Sequence, residues 1–527
     1  VVYIIKIGAI MGFIAVIMAV GGVLGAWFAS KAAMNFGADL RMDLFEKIQQ
    51  FSFQNIDNFS TGSLITRLTN DITQIQNMIM MTLRMCLRSP GILIGAMVMA
   101  FVISPKLAAI FIIVLPVLAV LIVVIMRRAF PQFRTLQEKL DALNSCIQEG
   151  LVGIRLIKSF VRGDYEEMRF EKRNQQLKEA NLTAMKTMLL YTPLMTLALN
   201  ITTVVVVWSG GNMIVAGNMQ VGDLTAFTNY IVQIMSSLTM LSIAFLNWAR
   251  AIASFRRVGE VLDEKIDLTD ENAKHKDRAV CEGSVEFQNV SFRYYKNSPE
   301  WVIENISFKL EAGKTLGIIG STGSGKSTLV SMIPRLYDTD EGTVLVDGIN
   351  VRDYGLKPLR EGIGMVLQNN TLFSGSITEN LKWGDEHADE KAVRKAAQNA
   401  QAAGFIDSFK DGYRTRLEQS GNNVSGGQKQ RLCIARALLK CPKILILDDS
   451  TSAVDTATER AIREALHSEY KDMTKIIIAQ RIRSVMDADE ILVLDNGKTA
   501  GFGTHEQLLA DCPVYREIYD VQNGREE

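Results

Sequence analysis

Residues Leu107 to Met126 form twenty consecutive positions without a single charge, and this run narrows the possible folds more than any other feature. At about 1.5 Å per residue, a helix of this length covers the roughly 30 Å of a bilayer's hydrocarbon core. A helix apolar all round could also be buried in a soluble core, but such helices seldom come in sets. Four further apolar stretches are present: Tyr3 to Phe28, Pro90 to Ile103 with the apolar residues before it, Met188 to Trp208, and Leu224 to Trp248. The last carries Asn229, Gln233, Ser236 and Ser237. These polar groups suit either a wall facing a bundle interior or water-filled path, or bonds to neighbouring helices.

The connections between these spans are unequal. Residues 29 to 85 and 127 to 187 are long, charged and helix-compatible, whereas 104 to 106 and 209 to 222 are short. Twelve lysines and arginines lie in 127 to 187 and none in 209 to 222, which places the long connections in the cytoplasm. An odd number of spans separates the two termini across the membrane, and the chain opens at Val1 directly on an apolar stretch. A preceding segment is therefore expected to be missing.

After residue 257 the composition changes. Residues 258 to 283 are rich in Asp, Glu and Lys with no apolar periodicity and read as a linker, and from Ser284 short apolar strands alternate with amphipathic segments. That order predicts an α/β domain with a mostly parallel sheet over 284–527, following a membrane helix bundle over 1–257. The charges balance, 57 basic against 57 acidic, so no nucleic-acid partner is expected. The six cysteines are scattered without C-x-x-C spacing, which suits reduced packing residues rather than a redox or zinc site.

The soluble half carries the chemistry. Gly320, Ser321, Thr322, Gly323, Ser324, Gly325, Lys326, Ser327 and Thr328 fit G-x-x-x-x-G-K-[ST] and follow the apolar run Thr315 to Ile319. Glycines let backbone N–H groups turn around phosphate oxygens, the following helix presents its positive end, Lys326 adds a charge, and the Ser327 hydroxyl suits Mg2+. Further on, Ile444 to Leu447 form an apolar run ending in Asp448 and Asp449.

Other motifs follow in an order that resembles the ATP-binding cassette (ABC) transporters, specifically the exporter branch in which six spans precede one cassette. Val424-Ser425-Gly426-Gly427-Gln428 resembles that family's LSGGQ signature, with valine for the first leucine. The resemblance implies that Ser425, Gly426, Gly427 and Gln428 close over ATP held by a second subunit. It implies that Tyr294 stacks on adenine, that Gln368 meets Mg2+ and senses the membrane domain, and that Asp455, in Ser452-Ala453-Val454-Asp455, touches the other subunit. Residues 54 to 71 and Gly153 to Tyr165 resemble the two cytoplasmic coupling regions, although plain solvated hairpins have similar composition.

Two departures from the family pattern matter. The family has glutamate after the magnesium aspartate and histidine at the end of a later strand, where this chain has Asp449 and Gln480. Asp448 can still hold Mg2+ through water, but a general base must reach the attacking water and aspartate is one methylene shorter than glutamate, while glutamine carries no proton as imidazole can. With an intact signature beside an impaired base, the chain reads as the degenerate half of a heterodimeric exporter. It would sit in the cell membrane with its ATP-binding domain cytoplasmic, bind ATP and Mg2+, and export a lipophilic or amphipathic molecule or lipid with a second, different half-transporter. Two other readings stay open: a homodimeric exporter in which Asp449 still works, and an ATP-gated regulator or channel.

Overall fold

The computed structural model describes residues 2–296, 298–449 and 454–523, without the side chains of 242, 243, 245–247, 249, 250 and 523. It resolves into two compact units. The first comprises Val1–Ile48 and Gly62–Asp263, and the second Gln49–Thr61 and Glu264–Glu527.

The first unit is helical: α1 (Val2–Gln49), then, after the short α2 (Phe53–Asp57) that belongs to the second unit, α3 (Thr61–Thr66), α4 (Ile72–Met81), α5 (Arg88–Ile103), α6 (Pro105–Val152), α7 (Ile154–Ser159), α8 (Gly163–Leu189), α9 (Tyr191–Val215) and α10 (Val221–Leu262). π-helical turns at Arg67–Asp71 and Thr82–Cys86 join α3 to α4 and α4 to α5. Ser104 starts α6 sharply, because its side chain accepts the Leu107 N–H and Pro105, lacking an N–H, occupies the first turn. Among the described residues, four helical stretches are long and apolar enough to cross a membrane: Val2–Gln49, Thr61–Ile103, Pro105–Val152 and Gly163–Val215. The fifth expected span falls in α10, where several side chains lie outside the described set. The helices run far beyond their apolar stretches, so the long charged connections are continuations of the spans. Phe111, Leu118, Phe227, Ile231 and Ile234 form the buried centre, with the Phe111 and Phe227 rings stacked at 5.6 Å.

Among the described residues, the second unit contains twelve strands: β1 (Val285–Phe292), β2 (Ile303–Leu310), β3 (Thr315–Gly320), β4 (Glu341–Val346), β5 (Ile349–Asn350), β6 (Ile363–Val366), β7 (Gly375–Ser376), β8 (Arg416–Leu417), β9 (Ile444–Asp448), β10 (Thr474–Ile478), β11 (Glu490–Asp495) and β12 (Lys498–Gly503). Six form a sheet in the order β12-β11-β3-β10-β9-β6, parallel throughout except at the β11–β12 edge. A separate antiparallel sheet runs β2-β1-β4-β5. Both faces of the parallel sheet are covered. Ile444, Ile446, Ile476 and Ile478 enter a core shared with β1 and β2, while Leu445, Leu447 and Ile477 enter one shared with the helix Gly426–Leu439. Burial on both faces explains why these strands read as unbroken apolar runs rather than alternating ones.

Two features of this unit lie outside the span 284–527 predicted for the soluble domain. The Asp270 carboxylate accepts the Leu356 N–H at 3.1 Å, the His275 N–H donates to the Asp353 carbonyl at 2.7 Å, and Leu268 and Val280 are buried, so the charged connector is laid against the domain. α2, encoded within the membrane half, is part of the same unit. Ser52 and Asn55 close its capping box, Asn55 donates to Glu264 and to the Lys265 carbonyl, and the Tyr337 hydroxyl donates to Asp57 at 2.8 Å.

Candidate nucleotide-binding site

Four neighbouring parallel strands end at one edge, and each delivers part of the site from its C-terminal end. β3 leads into the phosphate loop and then α11 (Lys326–Ser331), β9 ends at Asp448, β10 is followed by Gln480, and β6 by Gln368. Crevices at the carboxyl ends of parallel strands are where open α/β sheets bind ligands. Here the crevice is a cleft of about 300 Å³ lined by Tyr294, Val302, Thr322, Gly323, Gly325, Lys326, Ser327, Thr328, Gln368, Asp448, Asp449, Ile478 and Gln480.

The loop's glycines are sterically required at two places. A Cβ on Gly320 would lie 2.1 Å from the Leu494 carbonyl oxygen of β11, and Gly325, at φ +89°, would drive one to 2.6 Å from Ile303. The Lys326 ammonium donates to the Gly320 carbonyl at 2.9 Å and the Ser321 carbonyl at 2.7 Å, so the loop folds around its own cation. Burial pulls the Lys326 pKa below its ordinary value, and the charges of Asp449 and Asp448 act in the opposite direction.

The Ser327 hydroxyl donates to Asp448 Oδ1 at 2.9 Å, and Gln368 lines the same cleft. A hydroxyl, a carboxylate and an amide oxygen are a hard, all-oxygen donor set that fits Mg2+. Burial raises the Asp448 pKa; the charge of Asp449 adds to this, and the Ser327 bond and Lys326 oppose it.

Asp449 is held from two sides. Its N–H donates to the Ile478 carbonyl at 3.1 Å, its backbone sits at φ +45°, and its Oδ2 accepts the Gln480 amide at 2.9 Å. Burial raises its pKa, opposed by the Gln480 bond and by Lys326 and Arg481.

At the far end of the cleft the Tyr294 hydroxyl shares a 2.8 Å hydrogen bond with Thr328 Oγ1, and its ring meets Phe292 and Tyr337 edge-on at 5.1 and 5.3 Å. Val302 and Ile478 complete the lining, although nothing in the sequence distinguished them from ordinary strand-end residues. Tyr337 was equally unmarked, and its place behind Tyr294 depends on a chain reversal after α11.

The remaining predicted residues do not line this cleft. Ser425 caps the helix Gly426–Leu439: its hydroxyl oxygen accepts the Gln428 N–H at 3.3 Å, and Gln428 Oε1 accepts the Ser425 N–H at 2.8 Å. Asp455 caps the helix Thr456–Glu469 through Thr458. Both caps are solvent-exposed. Ser452 and Ala453 lie outside the described residues.

Comparison with known proteins agrees with this geometry in both halves. The family described as "ABC transporter transmembrane region" matches residues 2–238, and that described as "ABC transporter" matches residues 303–452. The uncharacterized ABC transporter ATP-binding protein YfiB of Bacillus subtilis (strain 168) is 41% identical over 519 residues, covering 98% of this chain and 90% of its own. A candidate multidrug export ATP-binding/permease protein of the same organism, YgaD, is 36% identical over 504 residues, covering 94% and 85%. Among solved structures, a bacterial Atm1-family ABC exporter with ATP bound superposes with a TM-score of 0.81 at 26% identity, covering 93% of this chain and 86% of that one. Because the likeness takes in the helical bundle as well as the phosphate-loop domain, the chain belongs to the ABC transporters as an exporter half-transporter, a multi-pass membrane domain followed by a cytoplasmic ATP-binding domain.

Proposed function

We propose that this chain is the slow-site half of a heterodimeric exporter that moves a lipophilic or amphipathic substrate across the cell membrane. The observation that carries this reading is the hydrogen bond from Gln480 to Asp449 at 2.9 Å. A general base must present its carboxylate to the attacking water, and misplacement by about 1 Å costs on the order of 100-fold in rate. Asp449 is short by one methylene, turned by its left-handed backbone, and engaged by an amide that can neither take up nor return a proton.

In this reading Tyr294 stacks on adenine, residues Gly320 to Thr328 cradle the phosphates, and Lys326 turns from the loop carbonyls to phosphate oxygens. Ser327, Asp448 and Gln368 hold Mg2+, which when bound screens the phosphate charge. The exposed cap at Ser425 to Gln428 is directed to the partner's nucleotide. The Ser425 oxygen accepts from its own helix, so its proton remains available to donate to phosphate, and the helix start adds positive potential. Asp455 contributes to the same intersubunit contact. Closure of the two cassettes over ATP would shift the membrane domain from inward-facing to outward-facing. The candidate multidrug relative supports a lipophilic substrate class.

The test is ATP turnover of the chain purified alone and with a partner half-transporter whose site carries glutamate and histidine at these positions. The expected result is ATP binding with little hydrolysis alone and full activity only in the mixed assembly. Robust hydrolysis by this chain alone that is lost on Asp449→Asn would show a homodimer with a working base.

A further inference from the structure

The chain passes between its two units after Ile48, after Thr61 and after Asp263, so displacement of the cassette reaches the membrane unit through three peptide connections. Two of them enter at a single ionic cluster. Just inside the Thr61 crossing, α3 runs into the π-helical turn Arg67–Asp71, and just before the Asp263 crossing lies the end of α10.

Asp71 is only 2% exposed. Its Oδ2 accepts Arg257 Nε at 2.8 Å, and its Oδ1 accepts both the Ser254 hydroxyl, at 2.8 Å, and Arg257 Nη2. On the same turn the buried Arg67 donates from Nη2 to Glu260 Oε2 at 3.1 Å, and Arg256 lies 3.7 Å from the other oxygen of that carboxylate. Ser254, Arg257 and Glu260 are three residues apart on α10 and therefore share one face. The first connection is tied to the same region, since Arg41 of α1 donates to Thr73 Oγ1 of α4 at 3.4 Å.

An apolar contact between these helices would permit sliding, whereas a carboxylate bonded by a bidentate guanidinium and a hydroxyl permits one register. Buried ion pairs add little stability over a well-packed apolar contact, and fixing register is their best-attested use. π-helical turns are rare and concentrate at functional sites.

We propose that Asp71 and Arg257 are positioning residues for ATP-driven transport, locking the segment that returns from α2 and the helix that leads to the cassette into one lever. This rests on the reading of the chain as a transporter, and not on whether its own ATP site is slow.

The test uses the full chain in its assembly in phospholipid vesicles, with the native cysteines replaced and Gln233→Cys added on α10. Labelling of that cysteine by a membrane-impermeant maleimide from the cytoplasmic side is compared with and without ATP and magnesium. Arg257→Gln and Asp71→Asn are expected to reduce the ATP-dependent change in labelling at least about fivefold, while ATP affinity stays within about twofold. Arg257→Lys should keep part of the response. The neutral pair Asp71→Asn with Arg257→Gln leaves no unpaired buried charge, so it decides the matter if a single variant fails to fold; it should be no worse than either single change. A full response in a folded neutral pair, or loss of ATP affinity in proportion to loss of response, would overturn the proposal. No ATP response in the parent would overturn the transporter reading and this proposal with it.

Discussion

The Gln480 amide and the Asp449 carboxylate meet at 2.9 Å across the ends of β10 and β9, so the two residues that depart from the family pattern hold each other. Restoring both should therefore do more than restoring either. Asp449→Glu with Gln480→His is expected to raise hydrolysis at this site by about 10- to 100-fold, with each single change contributing less. Single-turnover ATP hydrolysis in the assembled transporter measures this, and an unchanged rate in the double variant would contradict the slow-site reading.

Tyr294 makes a separate prediction about binding. Removing a ring that stacks on a base costs about 1–3 kcal/mol, so Tyr294→Ala should weaken ATP binding roughly fivefold or more. Tyr294→Phe loses only the hydroxyl bond to Thr328 and should remain close to the parent. Equilibrium binding of a fluorescent ATP analogue would separate the two, and equal losses would argue against stacking.

At the signature, capping and phosphate binding can be told apart. Aspartate caps a helix as well as serine does, so Ser425→Asp should leave the helix Gly426–Leu439 folded. Its negative charge would face the partner's nucleotide and reduce turnover of the assembly by more than about tenfold. ATP binding at this chain's own Lys326 should persist. Normal turnover in a folded Ser425→Asp assembly would remove the signature from the partner's site.

The pH dependence of the ligand-free protein follows from Asp448, whose pKa burial raises above its ordinary 3.8. A carboxyl with a raised folded-state pKa binds its proton more tightly folded than unfolded. Its contribution to stability is therefore fully present below the ordinary value and is lost as pH rises through the folded value. Asp448→Asn has no such dependence, so the variant should gain on the parent in thermal midpoint as pH rises above the ordinary carboxyl value of 3.8. An offset that stays constant, or moves the other way, would contradict the assignment.

The phosphate loop, the β9 aspartates and the capped signature were legible because each depends on residue types at fixed short spacing, and the structure builds each of them locally. The parallel sheet was legible for a related reason. Ile444 to Leu447 and Ile476 to Ile478 are apolar on both faces, a pattern that few environments other than a doubly covered sheet require. The antiparallel sheet of β1, β2, β4 and β5 was not anticipated, since the β1–β4 pairing that joins its two local strand pairs spans the phosphate loop. The docking of the linker was hidden because it rests on Asp270, the His275 backbone and two isolated apolar residues, Leu268 and Val280, which form no periodic pattern. The π-helical turn at Arg67–Asp71 has no sequence signature, and the partners of Asp71 lie more than 180 residues away.

The bond between Asp57 and Tyr337 joins positions 280 apart in sequence, and it makes the cassette's folding unit discontinuous. α2 leaves the ribosome before the rest of the membrane unit and before any cassette strand, yet its docking surface exists only after Tyr337 and the aromatic cluster around it have folded. Contacts of such separation form late. The docking of this five-residue helix can therefore occur only after the whole membrane half and the start of the cassette, through Tyr337, have been made.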